Sequence, residues 1–130
     1  MRARSCRLLL GALLTLGCSD LTSPERLSGT WRQDITIPGS GVEFTLATNG
    51  NAVSGTGQWT GEACCSGTVT VDGNETGGDV KLSLTFVADA GAIVPARTET
   101  FEGRLVDANT LSGTIGGGAA PATVSYRRVR

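Results

Sequence analysis

The chain has 130 residues, 39% of them hydrophobic and 18% charged, with 19 Gly, no His and a net charge of -1. That length suits one domain, and so much glycine argues against a helical bundle. The missing His removes the commonest general base and metal ligand. A charge this close to neutral offers no basic field for nucleic acid.

Arg2, Arg4 and Arg7 precede an uncharged apolar run from Leu8 to Leu16, which ends in Gly17 and Cys18. A basic start followed by an apolar segment well short of the ~20 residues of a membrane span is the pattern of an export signal. The run Leu14-Thr15-Leu16-Gly17-Cys18 resembles the lipobox of bacterial lipoproteins, with Thr15 standing where that family usually has Leu. The resemblance implies that residues 1–17 are a signal peptide removed before Cys18. The Cys18 thiol then carries acyl chains that hold the protein to a membrane, and residues 18–26 form a tether containing Ser23-Pro24. Ser19, rather than Asp, after the cysteine points by the same resemblance to the outer membrane, on its periplasmic or surface face. The competing reading is an ordinary signal peptide cut elsewhere, with Cys18 left as a free thiol. Removal of residues 1–17 takes three Arg and no acid from 11 basic and 12 acidic residues, leaving 8 against 12 and a net of -4.

From residue 27 to residue 130 the pattern has period two, broken every 10 to 15 residues by Gly, Asn, Asp or Pro, which predicts eight antiparallel strands. Trp31, Gln33, Ile35 and Ile37 alternate in the first, and Val42, Phe44 and Leu46 in the second, before Asn49-Gly50 as a hairpin turn. Val53, Gly55, Gly57 and Trp59 make the third strand, and Val69 and Val71 a fourth that is expected to end at Asp72-Gly73. Val80 to Ala88, Thr98 to Val106, Leu111 to Ile115 and Val124 to Arg128 supply the rest, and no segment carries a helical period. Sequential strands with short turns predict an up-and-down barrel, because closure removes exposed sheet edges. An open two-sheet sandwich is the alternative.

Gly29-Thr30-Trp31, at the opening of the first strand, resembles the Gly-x-Trp signature of the calycins, the lipocalin and avidin group of barrels. In that group the Trp crosses the barrel floor beneath a basic side chain from near the last strand. Carried onto this chain, the resemblance implies that Trp31 pairs with Arg128, which shares parity with Val124 and Tyr126. The lipocalin Thr-Asp-Tyr motif and the several pocket Trp of avidin are absent. At the opposite mouth, Phe44, Trp59, Ile93 and Val94 are the candidate contacts for a small apolar ligand.

Cys64-Cys65 either bridge to each other, across Cα atoms only about 3.8 Å apart, or remain thiols. As a functional pair they would form a redox switch or an intermolecular bridge. Two adjacent cysteines without His cannot complete a zinc site, so no metal and no cofactor is expected. Asp72 to Asp79 carries three carboxylates and an Asn, but lacks the spacing of an EF-hand loop and is assigned to a solvated hairpin turn. Asp34, Glu43, Glu99 and Glu102 are expected to face solvent, and no nucleophile stands at a recognisable spacing from a base. The sequence therefore favours a non-enzymatic, membrane-anchored binding or structural module with a mostly filled interior. Its partners are the membrane and an envelope protein or small apolar ligand. Carriage of such a ligand in the mouth is the alternative, and an envelope enzyme or enzyme inhibitor the third.

Overall fold

The computed structural model describes residues 24–35, 39–61, 65–91, 94–117 and 121–130. A short 3₁₀ turn, Pro24–Leu27, leads into eight strands: β1 (Gly29–Gln33), β2 (Gly41–Asn49), β3 (Ala52–Thr60), β4 (Ser66–Thr76), β5 (Asp79–Ala88), β6 (Arg97–Asp107), β7 (Thr110–Gly116) and β8 (Ala122–Arg128). Each pairs antiparallel with the next, and β1 pairs with β8 through Trp31↔Arg128, Arg32↔Arg127 and Gln33↔Tyr126. The sheet is thus a closed up-and-down barrel, not an open sandwich. Among the described residues no helix is long and apolar enough to cross a membrane.

Alternation decides which face each residue takes. On β5 Val80, Leu82, Leu84 and Phe86 are all buried, while Lys81 and Ser83 between them are exposed and Thr85 is half-buried. The centre of the barrel is aromatic: Phe44 and Phe101 pack against Tyr126 with ring centroids 5.0 and 5.7 Å away. Room for these rings comes from glycines at inward positions of neighbouring strands. Leu46 and Phe44 lie opposite Gly55 and Gly57, and Gly103 lies opposite Gly113. Where large side chains converge on a narrow axis, the missing Cβ atoms let the backbones coil tightly.

Two turns differ from the sequence expectation. The β2–β3 hairpin closes on Asn49↔Ala52, so Gly50 and Asn51 occupy the turn, with Gly50 at φ 58°. Strand β4 does not stop at Asp72-Gly73 but runs on to Thr76, and the chain reverses at Gly77 (φ 59°) and Gly78 (φ 94°). A two-residue hairpin of this hand needs positive φ at both central positions, which Gly-Gly meets without strain and Asp-Gly at only one site free of a Cβ. Gly73 instead serves as an inward strand residue opposite Leu82.

The connectivity gives the barrel two unlike ends. The turns after β2, β4 and β6, the 3₁₀ turn and the end of β8 gather at one, the floor. The connections after β1, β3, β5 and β7 gather at the other, the mouth.

Candidate functional site

The floor is a plug. Leu27 from the 3₁₀ turn is 1% exposed, and the Trp31 indole N–H donates to its carbonyl at 2.8 Å. Arg128 lies over the indole, its Cζ 4.4 Å from the ring centroid. The guanidinium also donates to the carbonyls of Ser28 (2.6 Å), Arg26 (2.5 Å) and Ala108 (3.1 Å). Desolvation, with the nearby Arg26 charge, holds the Arg128 pKa below its ordinary value. Gly29 makes room for this arrangement, since a methyl group there would lie 2.5 Å from an Arg128 nitrogen. The structure therefore brings Trp31 and Arg128 together, with the guanidinium and the indole N–H both bonded to backbone.

The mouth is built differently. Trp59 sits one residue before the end of β3, opposite Gly67, and its indole donates to the Val87 carbonyl at 3.2 Å. A methyl group on Gly67 would lie 2.6 Å from the indole nitrogen, so the ring lies directly on bare backbone. Across the rim Arg97, the first residue of β6, pairs with Phe86 in the ladder. Its guanidinium carbon lies 4.9 Å from the Phe86 ring and 5.8 Å from the Trp59 ring. Two residues along, Glu99 lies opposite Leu84, and its Oε1 is 3.4 Å from the Arg97 Nε. The Glu99 side chain is 27% exposed and that of Arg97 51%, so the acid sits deeper than the base.

The inward position of Glu99 corrects the expectation that all the strand carboxylates face solvent. Asp34, Glu43 and Glu102 do lie outside, paired with Arg127 (2.9 Å), Arg32 (2.7 Å) and Lys81 (3.5 Å) in exposed ion pairs. Glu99 shares parity with Phe101, Gly103 and Leu105, and parity outranks charge in a continuous ladder. The signal was present in the alternation of β6, which extended toward the N-terminus places both Glu99 and Arg97 inside.

The other expected site residues separate. Phe44, a candidate for the mouth, is 1% exposed and belongs to the aromatic centre, because its ladder partners are Trp31 and Gly57. Trp59 is at the mouth, and Val94 is half-buried on the connection into β6. Ile93, Cys18 and Cys64 lie outside the described residues. Cys65 is half-buried against the core and disulfide-bonded, its carbonyl accepting from the Gly61 N–H at 2.7 Å. In the acidic stretch of β4 and β5 the carboxylates diverge. Asp72 points outward, Asp79 pairs with Arg104, and Glu75 turns inward, where it accepts from the Gly78 N–H at 2.5 Å. Among the described residues no three His, Cys, Asp or Glu side chains gather to hold a metal.

Tyr126 joins the aromatic centre to the mouth. Burial raises its phenol well above the ordinary tyrosine range, and the Glu99 carboxylate adds to the effect. An unfolded phenol gives up its proton near pH 10, whereas the folded one retains it, so above about pH 10 unfolding releases a proton. Stability contributed by this group is intact below about pH 10 and falls as pH rises beyond it, by at most ~1.4 kcal/mol per pH unit. Tyr126 is the only tyrosine in the chain, so phenolate absorbance reports it alone. Denaturation between about pH 9 and 11.5 is expected to show this alkaline loss in the native sequence and a smaller one in Tyr126→Phe. Phenolate formation near pH 10 in the still-folded protein would contradict it.

No family model matches the chain, and no curated protein or solved structure matches it either.

Proposed function

We propose that the protein is a lipid-anchored, non-enzymatic binding module that takes its ligand at the mouth of the barrel. The observation that carries this is the asymmetry of the ends. At the floor the buried tryptophan is covered by an arginine held by three backbone carbonyls. At the mouth an arginine, an inward carboxylate and a second tryptophan meet, and the arginine and carboxylate form a partly exposed pair with each other. Phe44, Phe101 and Tyr126 fill the axis below, so a ligand rests at the rim instead of being swallowed.

The resemblance of Leu14 to Cys18 to a lipobox supports the anchor, and the place of the 3₁₀ turn at the floor supports an orientation for it. Cys18 precedes Pro24 by roughly six residues, a reach of about 20 Å, and the 3₁₀ turn that follows is part of the floor. Strands of 9 to 11 residues such as β2 to β6, tilted as in small barrels, set the mouth about 25 Å further out. Acyl chains on Cys18 would hold the floor near the bilayer and turn the mouth away from it.

The chain has two tryptophans, Trp31 at the floor and Trp59 at the mouth, and labelling both with 5-fluorotryptophan gives each end its own ¹⁹F signal. The full chain, expressed with its leader and purified from membranes, is expected to begin at an acylated Cys18, as intact mass will show. A screen of small aromatic amphiphiles is expected to move the Trp59 signal saturably and leave Trp31 in place. An unmodified Cys18 refutes the anchor, and ligands that move only Trp31 refute the mouth.

A further inference from the structure

The mouth already holds a ligand of a kind, supplied by its own chain. A planar cation lies against two aromatic rings, Phe86 at 4.9 Å and Trp59 at 5.8 Å, with a carboxylate 3.4 Å from its Nε. Aromatic faces with a carboxylate beside them make up a site for organic cations, since ring quadrupole and negative charge both favour positive charge between them. We propose that the Arg97 guanidinium is the built-in occupant of a cation site, and that the ligand of the mouth is an organic cation with an apolar body, an alkylguanidinium or alkylammonium. That cation displaces Arg97 from the rings and pairs with Glu99. The proposal rests on the mouth being the binding end and names the class of ligand it takes.

Three features favour a cation over an anion. An anionic ligand paired with Arg97 would have to approach Glu99, which is already bonded to the same guanidinium and lies deeper in the barrel. The processed chain has 8 basic and 12 acidic residues, so the surrounding field also draws cations. Displacement is easy, because the Arg97 side chain is 51% exposed and an ion pair open to solvent is weak. Released, the guanidinium has only to swing outward to water on its long stem. The two rings, by contrast, are buried, Phe86 3% and Trp59 7% exposed. Trp59 is pinned by the Val87 carbonyl and by Gly67 beneath it. Glu99 is backed by Gly117, where a methyl group would lie 3.2 Å from the Glu99 Cγ and 2.8 Å from the Thr98 carbonyl oxygen. Arg97 thus acts as a self-inhibitory cover, excluding cations that cannot also use the apolar rim.

The test is titration of the ¹⁹F-tryptophan-labelled full chain with three probes of one shape, benzylguanidinium, benzyl alcohol and phenylacetate. Benzylguanidinium is expected to shift the Trp59 signal saturably and at least ten-fold more tightly than either of the others. Arg97→Ala, and Arg97→Met where a stem is needed to keep the rim packed, is expected to tighten benzylguanidinium at least ten-fold by removing the internal competitor. Glu99→Gln, which keeps the shape of the side chain, is expected to weaken it at least ten-fold while leaving benzyl alcohol unchanged. Equal binding of benzyl alcohol and benzylguanidinium overturns the cation site and leaves the mouth standing as a binding end. Tighter binding of phenylacetate, or no gain on removal of Arg97, also overturns it. Failure of all three probes to move Trp59 removes the mouth reading together with the cation site.

Discussion

Replacement of Gly57 by alanine is expected to destabilise the barrel by about 3 kcal/mol or more, a large share of the ~5–15 kcal/mol that holds a typical domain folded. Gly57 is an inward residue of β3, opposite Phe44. A methyl group there would lie 1.9 Å from the Glu43 carbonyl oxygen and 2.5 Å from the Phe44 Cα. Both are backbone atoms of the adjacent strand, so no rotamer change relieves the clash. The β2–β3 ladder has to flatten or part, and flattening moves Phe44 off Tyr126, whose ring centroid is 5.0 Å away. Gly116→Ala provides the control. It lies at the end of β7, where an added methyl group would meet nothing within 4 Å, and is expected to change stability by less than about 0.5 kcal/mol. Urea denaturation followed by tryptophan fluorescence measures both. Equal midpoints for the two variants would mean that close backbone approach at Gly57 does not set the coiling of the barrel.

That prediction also shows why the fold was largely legible in the sequence and the mouth was not. Val80, Leu82, Leu84 and Phe86 alternate with polar residues, and Gly-bearing strands such as Val53-Ser54-Gly55-Thr56-Gly57 keep the same parity with smaller side chains. Period-two burial is a local property, so eight strands and their inward faces follow from it without knowledge of partners. Register and turn placement are not local. Asp72-Gly73 and Gly77-Gly78 are both plausible reversals on composition, and the choice falls to the one that places two glycines at positive φ and carries β4 opposite the whole of β5. The mouth was obscured for a different reason. A carboxylate on a strand is ordinarily outside, and Asp34, Glu43 and Glu102 obey that rule. Glu99 escapes it because Arg97, one inward position away, and the partial exposure of the pair make an inward charge tolerable. No single residue type announces such a pair. It is visible only when parity is followed from Phe101, the first hydrophobic residue of β6, back toward the N-terminus of the strand.

Replacement of Arg128 by leucine is expected to cost about 2–4 kcal/mol and to lower the unfolding temperature by roughly 10–25 °C. The closing seam between β1 and β8 is short, with three residue pairs, of which Trp31↔Arg128 is one. Arg128 ties several segments to that seam at once. Its backbone N–H donates to the Asn109 carbonyl at 2.9 Å, and its guanidinium reaches Arg26, Ser28 and Ala108 while lying over Trp31. Each charge-assisted bond to a carbonyl contributes about 1.5–3 kcal/mol when buried and less near solvent, and the cation over the indole about 0.5–2 kcal/mol. Partial exposure of the guanidinium sets the total well below their sum. Leucine keeps the apolar contact with Trp31 but takes the donor away from three carbonyls, so the 3₁₀ turn loses its attachment and Leu27 its cover. Lysine is expected to recover less than half of the loss, because one ammonium cannot stack flat on the indole while serving three acceptors placed around it. Thermal unfolding by near-ultraviolet circular dichroism measures the loss, and the ¹⁹F signal of Trp31 locates it: that signal moves at temperatures where Trp59 is unchanged. An Arg128→Leu variant within about 0.5 kcal/mol of the native sequence would mean that the barrel is closed by its ladder alone and that the floor arginine is ornament to it.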